Sequence, residues 1–322
     1  SQVKMNWKKF SLTTGFRLDK VPYNSTLVIS PRLGVSFFVS PSTKINAAAG
    51  TYYQTPYYWM FMYPNNEYPL KHSYTNQQIL GIEYLFADDI KGTIEVYYKS
   101  YHNKPVRKAE ITPNTLDDRL GFTDTGEGRS KGVELFLQKK FARKWYGTLS
   151  YSYSKAEGVD PREERGEYYP WDFDYENVFT LVGGYKFKFI KSKWYQKLRN
   201  SFVFPYISWV PFMVSDQLEL SFRYSYSGGR PYTPKVYDFH HRLWYVDPSA
   251  DYNTSRYGYY SRLDIMILRR FNFKKINITT FVDLQNIFDR NNEWDQVYLD
   301  DGTIEMAYQY KQLPIGGIII EL

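Results

Sequence analysis

Between Gly128 and Gly158 the apolar residues fall on every second position. Val133, Leu135 and Leu137 share one side, and Glu134 and Gln138 the other. After a short basic turn, Trp145, Leu149, Tyr151 and Tyr153 oppose Thr148, Ser150, Ser152 and Ser154. Side chains alternate along a strand with period two, so this stretch predicts a hairpin with one apolar and one polar face. The beat recurs. In Gln217–Ser227, Leu218, Leu220, Phe222, Tyr224 and Tyr226 oppose Gln217, Glu219, Ser221, Arg223 and Ser225. Ile276, Ile278, Val282 and Leu284 oppose Asn277, Thr279, Asp283 and Gln285, while Ile94, Val96 and Tyr98 oppose Glu95 and Lys99. About twelve such segments start near residues 10, 28, 43, 75, 91, 129, 144, 173, 216, 259, 275 and 306. Most run about ten residues or more, longer than the usual globular strand and enough to cross a bilayer when tilted.

The connections alternate as well. Short links lie at Pro41–Thr43, Asp88–Lys91, Ala142–Lys144 and Asn272–Lys275, and long ones at about 55–74, 106–128, 158–172, 231–258 and 289–305. Short turns at one end and long loops at the other describe outer-membrane barrels, whose long loops are extracellular. A Greek-key sandwich would not keep that beat. The expected fold is therefore all-β, an antiparallel transmembrane β-barrel with its apolar face on lipid, short periplasmic turns and long extracellular loops. One link departs from the pattern: Lys191–Asp216 sits where a short turn is due. Its apolar run from Phe202 to Val214 is too short to span and is interrupted by Pro205 and Pro211. With Trp194, Tyr195 and Trp209 it either lies along the membrane interface or packs on the barrel wall as a hairpin extension.

Composition sharpens this picture. Aromatic residues make up 20% of the chain, with 33 Tyr and 8 Trp, the rings favoured where one end is apolar and the other wet. Mean hydropathy is −0.54 and no long apolar run exists, which excludes a transmembrane helix but not a barrel. With no cysteine, disulfides and thiolate chemistry are unavailable. The net charge of +7 is not gathered into a nucleic-acid patch. Basic residues cluster in the short links (Lys139, Lys140, Arg143 and Lys144; Lys186, Lys188, Lys191 and Lys193; Arg269, Arg270, Lys274 and Lys275). Acidic ones cluster in long loops (Asp160, Glu163, Glu164 and Glu167; Asp289, Glu293, Asp295, Asp300 and Asp301), so a basic end and an acidic end are expected. Enzyme chemistry is poorly supported. Of the four His residues, His240 and His241 are adjacent and would point apart in an extended chain. Glu163–Glu164 lies in a charged loop, and no phosphate loop, nucleophile elbow or His-metal motif occurs. No catalytic residue, metal or cofactor is expected.

Several phrases, in order down the chain, resemble the barrel of a TonB-dependent receptor. TGFRLDK (14–20) followed by SPRLG (30–34) is similar to the family's paired GxRxD and SPR strands. NQQILGIEYLF (76–86) resembles the strand after the "NPxLKPE" loop, although that loop here reads YPLKHS without the Glu. TGEGRSKGVELFL (125–137), RYSYSGGRPYTP (223–234), RYGYYSRLD (256–264) and FVDLQNIFDRN (281–291) resemble the family's later signature strands. The final residue is Leu322 rather than the usual Phe or Trp. Barrels of this kind have about 22 strands and a plugged lumen. The resemblance therefore implies that residues 1–322 are the C-terminal part of a single barrel domain. The first strands, plug domain and TonB box would then belong to an N-terminal part. The competing expectation is a complete small porin of about twelve strands.

The resemblance implies energised import: loops and plug apex bind a scarce solute (siderophore, cofactor, glycan or peptide), and TonB pulls the plug to open a path. Three aromatic clusters on the long loops are the candidate solute contacts: Tyr57, Tyr58, Trp59 and Phe61; Tyr168, Tyr169 and Trp171; and Trp244 with Tyr245. The same rings could instead form the interfacial girdle. Glu95, Lys99, Glu134, Glu219, Arg223, Asp264 and Asp283 are expected to face a hydrated lumen or the plug, because they would be costly against lipid. The acidic loops mildly disfavour an anionic solute. The alternative to import is a binding or scaffold role in a larger outer-membrane assembly.

Overall fold

Period-two alternation becomes a single long sheet. The computed structural model describes all residues except 21–25, 64–65, 67–68, 108–120, 160–166, 209, 211–212 and 248–249. The first eight strands are β1 (Gln2–Trp7), β2 (Phe10–Lys20), β3 (Leu27–Phe38), β4 (Thr43–Gln54), β5 (Ser73–Ala87), β6 (Ile90–Arg107), β7 (Phe122–Ala142) and β8 (Trp145–Val159). The short β9 (Tyr168–Pro170) precedes β10 (Asn177–Lys188) and β11 (Gln217–Ser227). Loop strands β12 (Pro231–Tyr232), β13 (Lys235–Asp238), β14 (Leu243–Val246) and β15 (Ser255–Arg256) lead to β16 (Tyr260–Asn272) and β17 (Asn277–Gln285). Then come β18 (Glu293–Tyr298), β19 (Ile304–Tyr308) and β20 (Leu313–Glu321). The sheet runs β1-β2-β3-β4-β5-β6-β7-β8-β10-β11-β16-β17-β20, each strand antiparallel to the next, with β9 paired to β8. Among the described residues no ladder joins β1 to β20.

Register fixes the faces. Ile82, Ile94, Leu135, Tyr151, Phe179 and Tyr226 are successive partners across β5, β6, β7, β8, β10 and β11 and so lie in one row on one face. One position over, Gly81, Glu95, Glu134 and Ser152 form a row on the other. The apolar row is not a core. Leu80, Ile82, Ile94, Val96, Val133 and Leu220 are all exposed. Leaving such side chains in water forfeits about 1.5–3 kcal/mol each, so this face belongs against lipid. Among the described residues, buried apolar side chains are few and lie near strand ends or in the 191–216 link, at Leu70, Phe122, Tyr195, Phe204, Tyr257 and Phe271 among others.

All twelve expected segments correspond to sheet strands, but β1 is additional and three boundaries move, β7 starting at Phe122 rather than near 129. The strand expected near 306 is β20, starting at Leu313. Ile304–Tyr308 instead pairs with Glu293–Tyr298 in a loop hairpin. Alternation alone cannot distinguish a lipid-facing strand from a hairpin in a loop. The strand expected near 173 starts at Asn177, after a turn in which Glu176 takes φ 56°. The link at 231–258 likewise folds into paired strands, β12 with β15 and β13 with β14.

The 191–216 link forms two short helices, α1 (Lys193–Arg199) and α2 (Phe204–Ile207). They pack on the wall: Tyr195, Phe204 and Phe271 are buried together, flanked by Phe189, Leu198 and Val214. One side of the link thus packs on the wall; Trp209 lies outside the described residues. The charge at this end is not uniformly basic, since the β5–β6 turn carries Asp88 and Asp89. Lys139 pairs with Asp89 at 2.5 Å.

Candidate functional site

The long-loop end is tied together by polar residues that the alternation does not single out. Asp174 is 1% exposed, and its carboxylate accepts the Ala156 N–H at 2.8 Å. The Arg256 guanidinium donates to Asp174 Oδ2 at 2.7 Å, to Glu176 Oε1 at 3.0 Å and to the Gly229 carbonyl at 3.0 Å. One arginine thereby joins the 167–176 loop to the 228–259 loop. Asn253 adds a second link, donating from Nδ2 to the Pro170 carbonyl at 2.7 Å and to Asp172 Oδ1 at 2.8 Å. Asn292 adds a third, accepting the Ser261 N–H and donating to the Ser261 carbonyl.

These links frame an open cleft of about 560 Å³, lined by Phe173, Arg230, Tyr257, Glu293, Trp294 and Asp295 among others. The chain enters it at Gly228–Gly229, where a Cβ on Gly229 would overlap the Tyr257 carbonyl oxygen. Only glycine permits that approach. Arg230 pairs with Asp295 at 3.1 Å and lies 4.6 Å from the Tyr257 ring centroid. The Tyr257 hydroxyl donates to Asp295 Oδ1 at 2.8 Å, and Glu293 Oε2 accepts the Gly258 N–H at 2.6 Å. Burial first, then the hydrogen bond to the Asp295 carboxylate, pushes the Tyr257 hydroxyl up to about 12. Burial alone would raise Asp295, but the Tyr257 hydroxyl, the Gln296 N–H and Arg230 together hold it below its ordinary value. Phe173 (79% exposed) and Trp294 (61% exposed) stand at the rim. A surface of this kind presents aromatic faces and two carboxylates beside one paired guanidinium.

The three aromatic clusters do not form one site. Tyr57, Tyr58 and Trp59 are exposed; Trp59 also packs edge-on against buried Phe122 at 5.5 Å, and Phe61 meets Tyr58 at 6.3 Å. Tyr168 lies under the Arg129 guanidinium, 3.7 Å from ring centroid to carbon. Tyr169 meets Tyr252 at 5.1 Å, and both, with Tyr168, line a second cleft of about 390 Å³. Trp171 packs on Tyr101 and fills the space over Gly128 and Gly158, where any Cβ would strike its indole. Trp244 donates from Nε1 to the Leu299 carbonyl at 2.8 Å and packs between Tyr237 and Tyr298, fastening the β13–β14 hairpin to the β18–β19 loop. Tyr245, half-buried, lies opposite Val236 in that hairpin. Phe173, Arg230, Tyr257 and Trp294 lacked any periodic signature. The SGGRP and RYGYYSRLD phrases and the acidic cluster with Glu293 and Asp295 were the sequence clues to their cleft.

The seven charged residues all fall on the polar face, and they differ in how they are satisfied. Glu219 pairs with Lys186 at 3.0 Å and accepts the Tyr146 hydroxyl at 2.9 Å. Asp264 takes the Arg262 Nε–H at 2.6 Å and the Asn286 N–H at 2.9 Å, which explains why the RLD and LQN phrases occur together. Asp283 accepts Gln285 Nε2, and Lys99 sits over the Tyr97 ring. Glu95, Glu134 and Arg223 make no side-chain hydrogen bond or ion pair among the described residues. His241 Nδ1 meets Asp238 Oδ2 at 2.7 Å, with the His240 ring nearly perpendicular to it.

Comparison with known proteins follows the same architecture. The family model described as TonB dependent receptor-like, beta-barrel matches residues 1–301. The outer membrane transporter YddB from Escherichia coli superposes with a TM-score of 0.65 at 14% identity, covering 98% of this chain and 43% of its own. The ferripyoverdine receptor of Pseudomonas aeruginosa gives 0.64 at 12% identity, covering 99% and 37%. The ferric yersiniabactin uptake receptor FyuA from Yersinia pestis gives 0.62 at 13% identity, covering 98% and 43%. The chain thus spans about two-fifths of the length of these structures. No curated protein sequence matches it. Lipid-facing strands, long loops at one end and the family match agree: this chain belongs to the TonB-dependent receptor-like β-barrel family of the bacterial outer membrane.

Proposed function

We propose that this chain forms part of the wall and outer mouth of an importer that takes up a scarce solute across the outer membrane, driven by TonB through a plug domain. The polar face would line the hydrated lumen, with Glu95, Glu134 and Arg223 free to meet plug or solute. The chain itself would be the C-terminal part of one barrel domain. The observation that carries the import reading is the cleft of Phe173, Arg230, Tyr257, Glu293, Trp294 and Asp295, open at the long-loop end. Binding function concentrates on loops held by a rigid scaffold. Two carboxylates against one paired guanidinium favour a neutral or cationic solute, and exposed rings offer stacking area to a chelate or a sugar face. Two of the structural neighbours are, by name, receptors for ferripyoverdine and for ferric yersiniabactin, which makes a neutral ferric chelate the first candidate.

The test uses the intact receptor and three probes: a neutral ferric hydroxamate, a neutral oligosaccharide and an anionic ferric catecholate. A neutral probe should bind, and Trp294→Ala should weaken it by about tenfold, the scale of losing one stacked ring and its buried area. Equal binding by parent and Trp294→Ala, or preference for the anionic catecholate, would overturn this assignment of the cleft.

A further inference from the structure

The insert between β10 and β11 has two unlike sides. Its inner side is fixed to the apolar face of the sheet. Phe271 shares a face with Arg269 and Ile267, which lies opposite Leu220 on the lipid-facing row. Phe204 packs on Phe271 at 6.2 Å, and Tyr195 packs on Phe204 at 6.1 Å. Arg199 pairs with fully buried Asp216 at 2.9 Å, and Asp216 Oδ2 also accepts the Asn272 N–H. The insert therefore lies outside the wall, on the side that meets lipid.

Arg269 makes that position informative. Its side chain issues from the apolar face, where a charge facing the hydrocarbon is costly in a depth-dependent way. The insert covers it: Arg269 donates to the Ser208 carbonyl at 3.0 Å, the Val210 carbonyl at 2.5 Å and Thr280 Oγ1 at 3.0 Å, and is 5% exposed. The outer side of the insert is apolar again. Trp194, Phe202 (83% exposed), Tyr206 (76% exposed) and Val210 are exposed on the side away from the wall. Around them the charge is one-sided. Lys191, Lys193, Lys197 and Arg199 are the cations of 191–216, and Asp216, paired with Arg199, is its one acid. Lys191, Lys193 and Lys197 are exposed and form no ion pair among the described residues.

We propose that residues 191–216 are an interfacial anchor seated in the periplasmic leaflet of the outer membrane, gathering the phosphate headgroups of anionic phospholipid. Short turns of such barrels face the periplasm. Aromatic rings with lysines beside them suit the headgroup boundary, where apolar groups enter the acyl region and ammonium groups reach phosphate. A second copy of the chain fits less well, because the same cluster of lysines would face itself. The anchor requires membrane placement of the barrel but not solute import, so it stands or falls separately from the binding cleft.

The experiment reconstitutes the intact receptor in mixed phosphatidylcholine–phosphatidylglycerol nanodiscs. Spin labels at Phe202→Cys and Tyr206→Cys should be reached by oxygen and shielded from a water-soluble nickel chelate, whereas a label at Tyr58→Cys should show the reverse. Native mass spectrometry should find phosphatidylglycerol retained over phosphatidylcholine. Replacing Lys191, Lys193 and Lys197 together by Gln should cut that preference about fivefold or more, the effect expected for even one lysine at an anionic surface. Nickel access to both insert labels, unchanged lipid retention in the triple variant, or label–label coupling between two copies would each overturn the anchor. Heat-modifiable gel mobility equal to the parent certifies folding of each variant, and the labels report on the native lysines if the triple variant misfolds.

Discussion

Glu95 and Glu134 stand directly opposite one another on β6 and β7, both on the polar face and neither with a cation among the described residues. Like charges across an antiparallel pair are destabilising by roughly 0.2–1 kcal/mol. In a barrel with its plug deleted, Glu134→Gln should therefore raise stability by about that amount. If these carboxylates meet a cation of a plug domain, the gain should vanish or reverse in the intact receptor. Urea unfolding followed by gel mobility measures both. An equal gain with and without the plug would remove these residues from the plug contact.

Arg256 holds two long loops to one buried carboxylate. Arg256→Ala leaves Asp174 buried without its cation, a change that costs on the order of 3 kcal/mol. Amides of 168–176 and 228–232 should then exchange hydrogen much faster, while β10 and β11 keep their protection. Arg256→Lys should rescue only part of the loss, since a single ammonium cannot reach Asp174, Glu176 and the Gly229 carbonyl at once.

Trp171 fills space that Gly128 and Gly158 leave open. Gly158→Ala should expel the indole, and Trp171→Ala should leave a cavity, each costing roughly 2–4 kcal/mol of local stability. Solute binding at the Trp294 cleft should weaken only as far as the loop loosens. Intrinsic fluorescence and protease nicking of the loop would record it. A Trp171→Ala receptor with parental loop stability and lost binding would make this ring a direct solute contact instead.

The Tyr257–Asp295–Arg230 group sets a pH window for the cleft. The Tyr257 value rises in the folded state to about 12, so its contribution is complete below pH 10, the ordinary tyrosine value, and is lost as pH rises from there through about 12. Asp295 is lowered, so its contribution is present above the ordinary carboxylate value and lost as pH falls through the folded one. Difference absorbance between the parent and Tyr257→Phe should show one tyrosinate appearing near pH 12. Its appearance near 10 would mean that the hydroxyl is not held by Asp295.

Sequence and structure divide this protein along a physical line. Alternation of apolar and polar residues is local and strict, because a shift of one residue would turn every side chain to the wrong face. It was therefore enough to read twelve strands, the lipid-facing set of Leu218, Leu220 and Phe222, and the polar placement of Glu219, Arg223 and Asp264. The order of short and long connections likewise gave the up-and-down topology. Loops carry no such period. That Ile304–Tyr308 closes a loop hairpin, that Trp171 and Trp244 pack inward while Trp294 and Phe173 stand out, and that Arg256 finds Asp174 all depend on contacts between residues far apart in sequence. The same holds for the insert: its apolar run and prolines were visible, but only the fold laid Phe204 on Phe271 and the Ser208 and Val210 carbonyls over Arg269. Strand faces were written in the sequence because each residue is constrained by its neighbours. The cleft and the anchor were decided by tertiary structure, because each is built from segments that only the folded sheet brings together.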